Sequence, residues 1–93
     1  MNDGEFEWDD QKSAANHAKH GVSFEAARDA FKDPFGIERV DERETYGEDR
    51  YGLVAMVENR LLFVAYTLRG DRIRIISARG AEPYEHREYH EGG

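Results

Sequence analysis

Tyr51-Gly52-Leu53-Val54-Ala55-Met56-Val57, then Glu58-Asn59-Arg60, then Leu61-Leu62-Phe63-Val64-Ala65-Tyr66-Thr67-Leu68, then Arg69-Gly70-Asp71, then Arg72-Ile73-Arg74-Ile75-Ile76-Ser77-Ala78-Arg79 is the stretch that decides the fold. Three apolar or alternating runs are separated by two three-residue polar breaks. That pattern predicts three strands joined by two hairpins, and so an antiparallel meander. The middle run, Leu61 to Leu68, is apolar throughout, as expected of a central strand covered on both faces. Strict alternation along the last run puts Ile73, Ile75, Ser77 and Arg79 on one face and Arg72, Arg74, Ile76 and Ala78 on the other.

Upstream, the period is helical. Asp9 is placed to cap a helix running to His20, and Gly21 to end it in the left-handed conformation that glycine adopts cheaply. Ser23 caps a second helix, where Phe24, Ala27, Ala30 and Phe31 recur at three- and four-residue spacing and form one buried stripe. Asp33-Pro34 stops that helix. Phe6-Glu7-Trp8 is a short strand candidate, Ile37 and Val40 suggest a weak strand, and residues 41–49 form an acidic, turn-rich loop expected to be mobile. Pro83 suits the first turn of a last polar helix ending near Tyr89. The order expected is β-α-α-β-β-β-β-α, an α+β domain spanning residues 1–93.

A chain of 93 residues supports one modest core. It has no cysteine, so neither disulfides nor thiolate metal sites brace it, and a reducing cytoplasm is the expected compartment. The start, Met1-Asn2-Asp3-Gly4-Glu5, is acidic where a secretory signal would be basic, and no apolar run is long enough to span a membrane. The net charge of −7 argues against a nucleic-acid binder at face value. Its distribution along the chain points the other way. Five acids and no base lie in residues 1–10, whereas Arg60, Arg69, Arg72, Arg74 and Arg79 face only Asp71 between positions 60 and 79. A basic stripe survives on an acidic protein.

Phe6-x-Trp8-Asp9-x-x-Lys12-x-x-x-Asn16-x-x-Lys19-His20-Gly21-Val22-x-Phe24-x-x-Ala27, followed by Tyr66-Thr67-x-Arg69 and Ile73-Arg74-Ile75-Ile76-Ser77-Ala78-Arg79, resembles the BrnT toxins over nearly the whole chain. The resemblance implies a RelE/ParE-like fold with an antiparallel sheet flanked by helices. It also implies RNA cleavage without a metal, inhibition of translation, and neutralisation by a BrnA-like ribbon-helix-helix antitoxin. Promoter DNA would then be bound only indirectly, through the antitoxin. One departure is visible: Glu82-Pro83-Tyr84 stands where family members often carry basic residues, while Glu85 and Tyr89 keep a Glu-x-x-x-Tyr pattern.

Metal-free RNA cleavage needs a base for the ribose 2′-hydroxyl, an acid for the leaving oxygen, and positive charge at the phosphate. Arg79 and Arg74 are the candidates for that charge, and Arg69 and Arg72 for substrate binding, against the plainer reading of ion-paired sheet charges. His20 is the candidate base or acid, since imidazole titrates near neutrality; a cation interacting with the last helix carbonyls is the alternative. Lys12 and Lys19, two turns apart, could line the RNA path or simply be solvated. Trp8 is a candidate for stacking on a base or for the core. Tyr51 and Tyr66 are further proton-donor candidates. His86 and His90, four apart, lack the surrounding pattern of a metal site, and no metal or cofactor is expected. Two other readings stay open: a non-catalytic module that binds a protein target, and a decayed toxin retained as a subunit of a repressor complex.

Overall fold

The computed structural model describes residues 4–41 and 47–92; residues 42–46, the middle of the acidic loop, lie outside the described residues. The elements are β1 (Phe6–Glu7), α1 (Asp10–His20), α2 (Phe24–Asp29) with a 3-10 turn over Ala30–Lys32, β2 (Ile37–Asp41), β3 (Arg50–Val57), β4 (Arg60–Arg69), β5 (Arg72–Gly80) and α3 (Pro83–His90). This is the expected order. The strands form one five-stranded sheet ordered β1-β5-β4-β3-β2. Four strands are antiparallel neighbours, as the hairpin pattern requires, but β1 joins parallel to β5, pairing Phe6 with Ile73 and Glu7 with Arg74. The two helices between β1 and the meander carry the chain across one face, which permits that parallel return.

The predicted caps are in place. Asp9 accepts from the amides of Gln11 and Lys12 at 2.8 and 3.1 Å, and Gly21 takes φ 72° as its amide donates to the His17 carbonyl. Ser23 accepts from the Ala26 amide at 3.1 Å. α1 has no apolar stripe. It buries Ser13 and Asn16 instead, and both are satisfied: Ser13 Oγ accepts from the Phe24 amide, while Asn16 donates to the carbonyls of Val22 and Ala78 and accepts from the Ala78 amide. Asn16 thus continues the hydrogen-bond ladder on the outer edge of β5 beyond the short β1. Covering an edge in this way keeps it from pairing with another chain.

α1 and α2 cover one face of the sheet, called here the helix face. Trp8, Phe24, Ala27, Leu53, Ala55, Leu62, Val64, Tyr66, Ile75 and Ala78 belong to its core. Phe24 is 0 % exposed, which contributes roughly 1.5–3 kcal/mol. Phe6, Phe31, Tyr66 and Tyr51 form a continuous run of ring contacts with centroids 5.0–5.5 Å apart.

The alternation expected along β5 is broken, and this is the main correction to the sequence reading. Ala65 pairs with Ser77 and Tyr66 with Ile75, so Ile76 is an extra residue on β5. A bulge of this kind shifts the side-chain parity of everything beyond it. Ala78 therefore joins Ile73 and Ile75 on the helix face. Arg79, opposite Phe63, joins Arg74 (opposite Thr67) and Arg72 (opposite Arg69) on the other face. Arg79 does not lie opposite Arg72 and Arg74, as strict alternation required; all four arginines share one face.

Candidate active site

The arginine face is partly covered by α3, which is fastened by three polar anchors. Glu85, 0 % exposed, receives the Arg79 guanidinium as a fork at 2.8 and 3.1 Å and also accepts from the Glu82 amide at 2.7 Å. The Arg79 guanidinium carbon lies 4.4 Å from the centre of the Phe63 ring, and that ring rests on Gly52, where any Cβ would come within 2.7 Å of it. Glu88 pairs with Arg39 at 2.6 Å. Tyr89 donates to Asp33 Oδ2 at 2.6 Å, and Asp33 also accepts from the amides of Met56 and Phe35.

These carboxylates are tuned by their partners. Burial would raise the Glu85 carboxyl, but the Arg79 fork and the Glu82 amide outweigh it and hold it below 4.5. Asp33 is likewise held below 3.8, because the Met56 amide, the Tyr89 hydroxyl and the Phe35 amide outweigh desolvation. The hydrogen bond to Asp33 pushes Tyr89 up to about 12. A depressed carboxylate stabilises the fold above its unfolded value, and that contribution is lost as pH falls through the folded value. Melting temperature is therefore expected to drop as the protein is acidified below about pH 4.5. Asp33→Asn should lower the melting temperature at pH 7 and flatten the acid decline, which thermal scans across pH 3–7 would measure.

Further along the same face, Arg74 pairs with Glu7 at 2.7 Å, and Arg69 lies 3.7 Å from Glu48. Among the described residues Arg72 has no ion-pair partner. Thr67 is buried and its hydroxyl donates to the Asp49 carbonyl. The result is a row of guanidinium groups on one face of the sheet, an arrangement that suits recognition of phosphate.

The other candidates sit elsewhere. His20 ends α1 on the helix side, where its carbonyl and that of Gly21 face the Arg60 guanidinium at 3.4 Å. No described hydrogen bond or ion pair joins His20 to Arg74 or Arg79. Lys12 and Lys19 are exposed on α1. Trp8 is 3 % exposed, edge-on to Phe24 and beneath the Arg28 guanidinium, so in this conformation it presents no face for a base. Tyr66 donates to Glu38 from the helix face, and burial first, then Glu38, pushes it up to about 12. His86 and His90 stack on each other along α3, 6.3 Å between centres.

Residues 8–85 match the family model described as ribonuclease toxin, BrnT, of type II toxin-antitoxin system. The chain belongs to the BrnT family. Comparison with curated proteins finds no match. The family is one of ribonuclease toxins, and a type II system pairs such a toxin with a protein antitoxin. The BrnT match takes in α1, all four face arginines and Glu85, and stops short of Glu7 and Tyr89. Two acids on the arginine face, Glu85 and Glu7, were not singled out from the sequence as partners. Glu85 carried a signal, since an acid at the third position of a helix is placed to accept from the cap amide. Among the described residues of this BrnT chain no helix is long and apolar enough to cross a membrane.

Proposed function

We propose that the protein is a metal-independent endoribonuclease of the cytoplasm that inhibits translation by cleaving RNA, with the arginine face of the sheet as its substrate site. The observation that supports this best is the bulge at Ile76, which turns Arg79 onto the face of Arg69, Arg72 and Arg74. Guanidinium groups stay charged at any working pH and neutralise both a bound phosphate and the extra charge that develops on it in the transition state. Arg74 and Arg79 serve the reacting phosphate, and Arg69 and Arg72 the strand on either side. Lys12 and Lys19 extend the positive path from α1, and His20 joins the site only if substrate wraps the end of the sheet.

At rest the face is covered by a BrnA-like ribbon-helix-helix antitoxin, and promoter DNA is bound through that partner alone. One observation favours a non-catalytic module instead: Arg74 and Arg79 are already neutralised by acids of their own chain. The purified chain should cleave single-stranded RNA in excess EDTA, with His20→Ala active in the same assay if the imidazole stands outside the chemistry. Cleavage that appears only on adding magnesium would refute metal independence, and no cleavage under either condition would favour the binding module.

A further inference from the structure

We infer that Glu7 is the general base of the reaction, taking the proton of the ribose 2′-hydroxyl. This rests on the arginine face being the substrate site. A base must lie within hydrogen-bond reach of the nucleophile while the phosphate sits on the arginines, so it has to be on their face. His20 is on the helix side of the sheet. Among the described carboxylates near the face, Glu85 is 0 % exposed and saturated by the Arg79 fork and an amide. Glu88 is taken by Arg39, Glu48 is shared between Arg50 and Arg69 at 3.8 and 3.7 Å, and Glu82, near Arg79, and Asp71, in the β4–β5 turn, are exposed with no described ion pair to fix them on the face.

Glu7 differs from all of these. β1 pairs it with Arg74 in parallel register, which fixes its backbone on the sheet. Its Oε2 accepts from Arg74 Nη1 at 2.7 Å, its side chain is 18 % exposed, and among the described residues Oε1 has no hydrogen-bond donor. One oxygen is thus anchored to the guanidinium that holds the phosphate, and the other is available to a substrate hydroxyl. Arg72 lies two residues from Arg74 along β5, and Asp9 and Lys12 stand at the start of α1, which follows β1. Asp9 is close enough to Arg74 to feel its charge, but its own carboxylate is committed to two helix amides.

The step balances without any co-reactant other than solvent. Glu7 Oε1 takes the 2′-hydroxyl proton as O2′ bonds to phosphorus and the bond from phosphorus to O5′ breaks. Water protonates the leaving O5′, and the hydroxide so formed recovers the proton from Glu7. The products are a 2′,3′-cyclic phosphate and a 5′-hydroxyl.

The test is steady-state cleavage of a short fluorogenic RNA by the full chain and its Glu7→Gln variant, beside Arg74→Ala, with melting curves to establish folding. Glu7→Gln is expected to lose about 10²-fold or more in kcat with KM within about twofold. If Glu7→Gln does not fold, Glu7→Asp keeps the charge but withdraws it by one methylene; a kcat at least about tenfold lower at an unchanged melting temperature supports the assignment, and native kcat overturns it. Native cleavage by Glu7→Gln with Arg74→Ala impaired overturns the role of Glu7 alone. Native cleavage by both variants overturns the arginine face as the site. Native kcat in Glu7→Gln beside a loss of about 10²-fold or more in His20→Ala returns the base to histidine and overturns Glu7.

Discussion

Arg79→Ala is expected to lower the melting temperature by roughly 12–24 °C and, in whatever fraction stays folded, to reduce RNA cleavage by about 10²-fold or more. Seen from the sequence alone, Arg79 is a strand-end charge whose removal should leave folding almost untouched. In the structure Arg79 is the counter-ion of a carboxylate with no exposure to water. Truncating one member of a buried pair costs about 3–5 kcal/mol, since the remaining charge is left desolvated and unpaired. Arg79 is itself 30 % exposed, so water can reach the vacated space and the low end, about 3 kcal/mol, applies. At about 4–8 °C per kcal/mol for a domain of this size, that gives the stated shift.

If Arg79 serves the reacting phosphate as proposed, the loss of cleavage has a separate cause, the removal of a fixed donor from the developing oxyanion. The two causes can be separated. Replacing both partners together, Arg79→Met with Glu85→Leu, leaves no orphan charge and is close to neutral for many buried pairs. That double variant should regain most of the melting temperature and none of the cleavage. If it is stable and cleaves RNA like the native chain, Arg79 belongs to the anchoring of α3 and not to the chemistry.

What was legible in the sequence follows from how local each signal is. The caps Asp9, Gly21 and Ser23, the hairpin breaks at 58–60 and 69–71, and the two-sided cover of β4 depend on residues within a few positions of one another. They appear as the pattern predicts. The bulge at Ile76 is not of this kind. Ile75-Ile76 fits either parity, because both faces of β5 accept an apolar residue there, and only pairing with β4 across the hairpin reveals the extra residue. Since that parity decides which arginines share a face, the arrangement of the proposed site was hidden although each of its arginines stands out in the sequence. Asn16 is a second case. Its place in the Asn16-x-x-Lys19-His20-Gly21 motif carries no sign of its partner, and its hydrogen bonds to Ala78, 62 residues away, show it completing a sheet edge.

Charge reversal at Arg72 together with Arg69 is expected to weaken binding of the antitoxin by at least about 10²-fold. Arg72 has no described ion-pair partner, and Arg69 only a contact at 3.7 Å, whereas Arg74 and Arg79 are held by Glu7 and Glu85 at 2.7 and 2.8 Å. The two loosely held arginines are opposite each other at the β4–β5 hairpin, so they present the most available positive charge on the face. A partner that occupies this surface with acidic side chains excludes RNA by simple competition. Placing like charges across such a contact costs several kcal/mol, and 1.4 kcal/mol is tenfold in affinity. Arg69→Glu with Arg72→Glu should therefore abolish co-purification with the antitoxin. Lys32→Glu, a reversal on the turn after α2 where Lys32 pairs with Asp29, should leave it within about threefold. Because binding stabilises the folded toxin by mass action, the antitoxin should raise the melting temperature of the native chain and of Lys32→Glu but not of the double reversal. Titration calorimetry on the three proteins decides the matter. Native affinity in the double reversal, or a complex in which the partner sits on α1 and α2 with the four arginines open to solvent, would mean that inhibition does not work by covering this face.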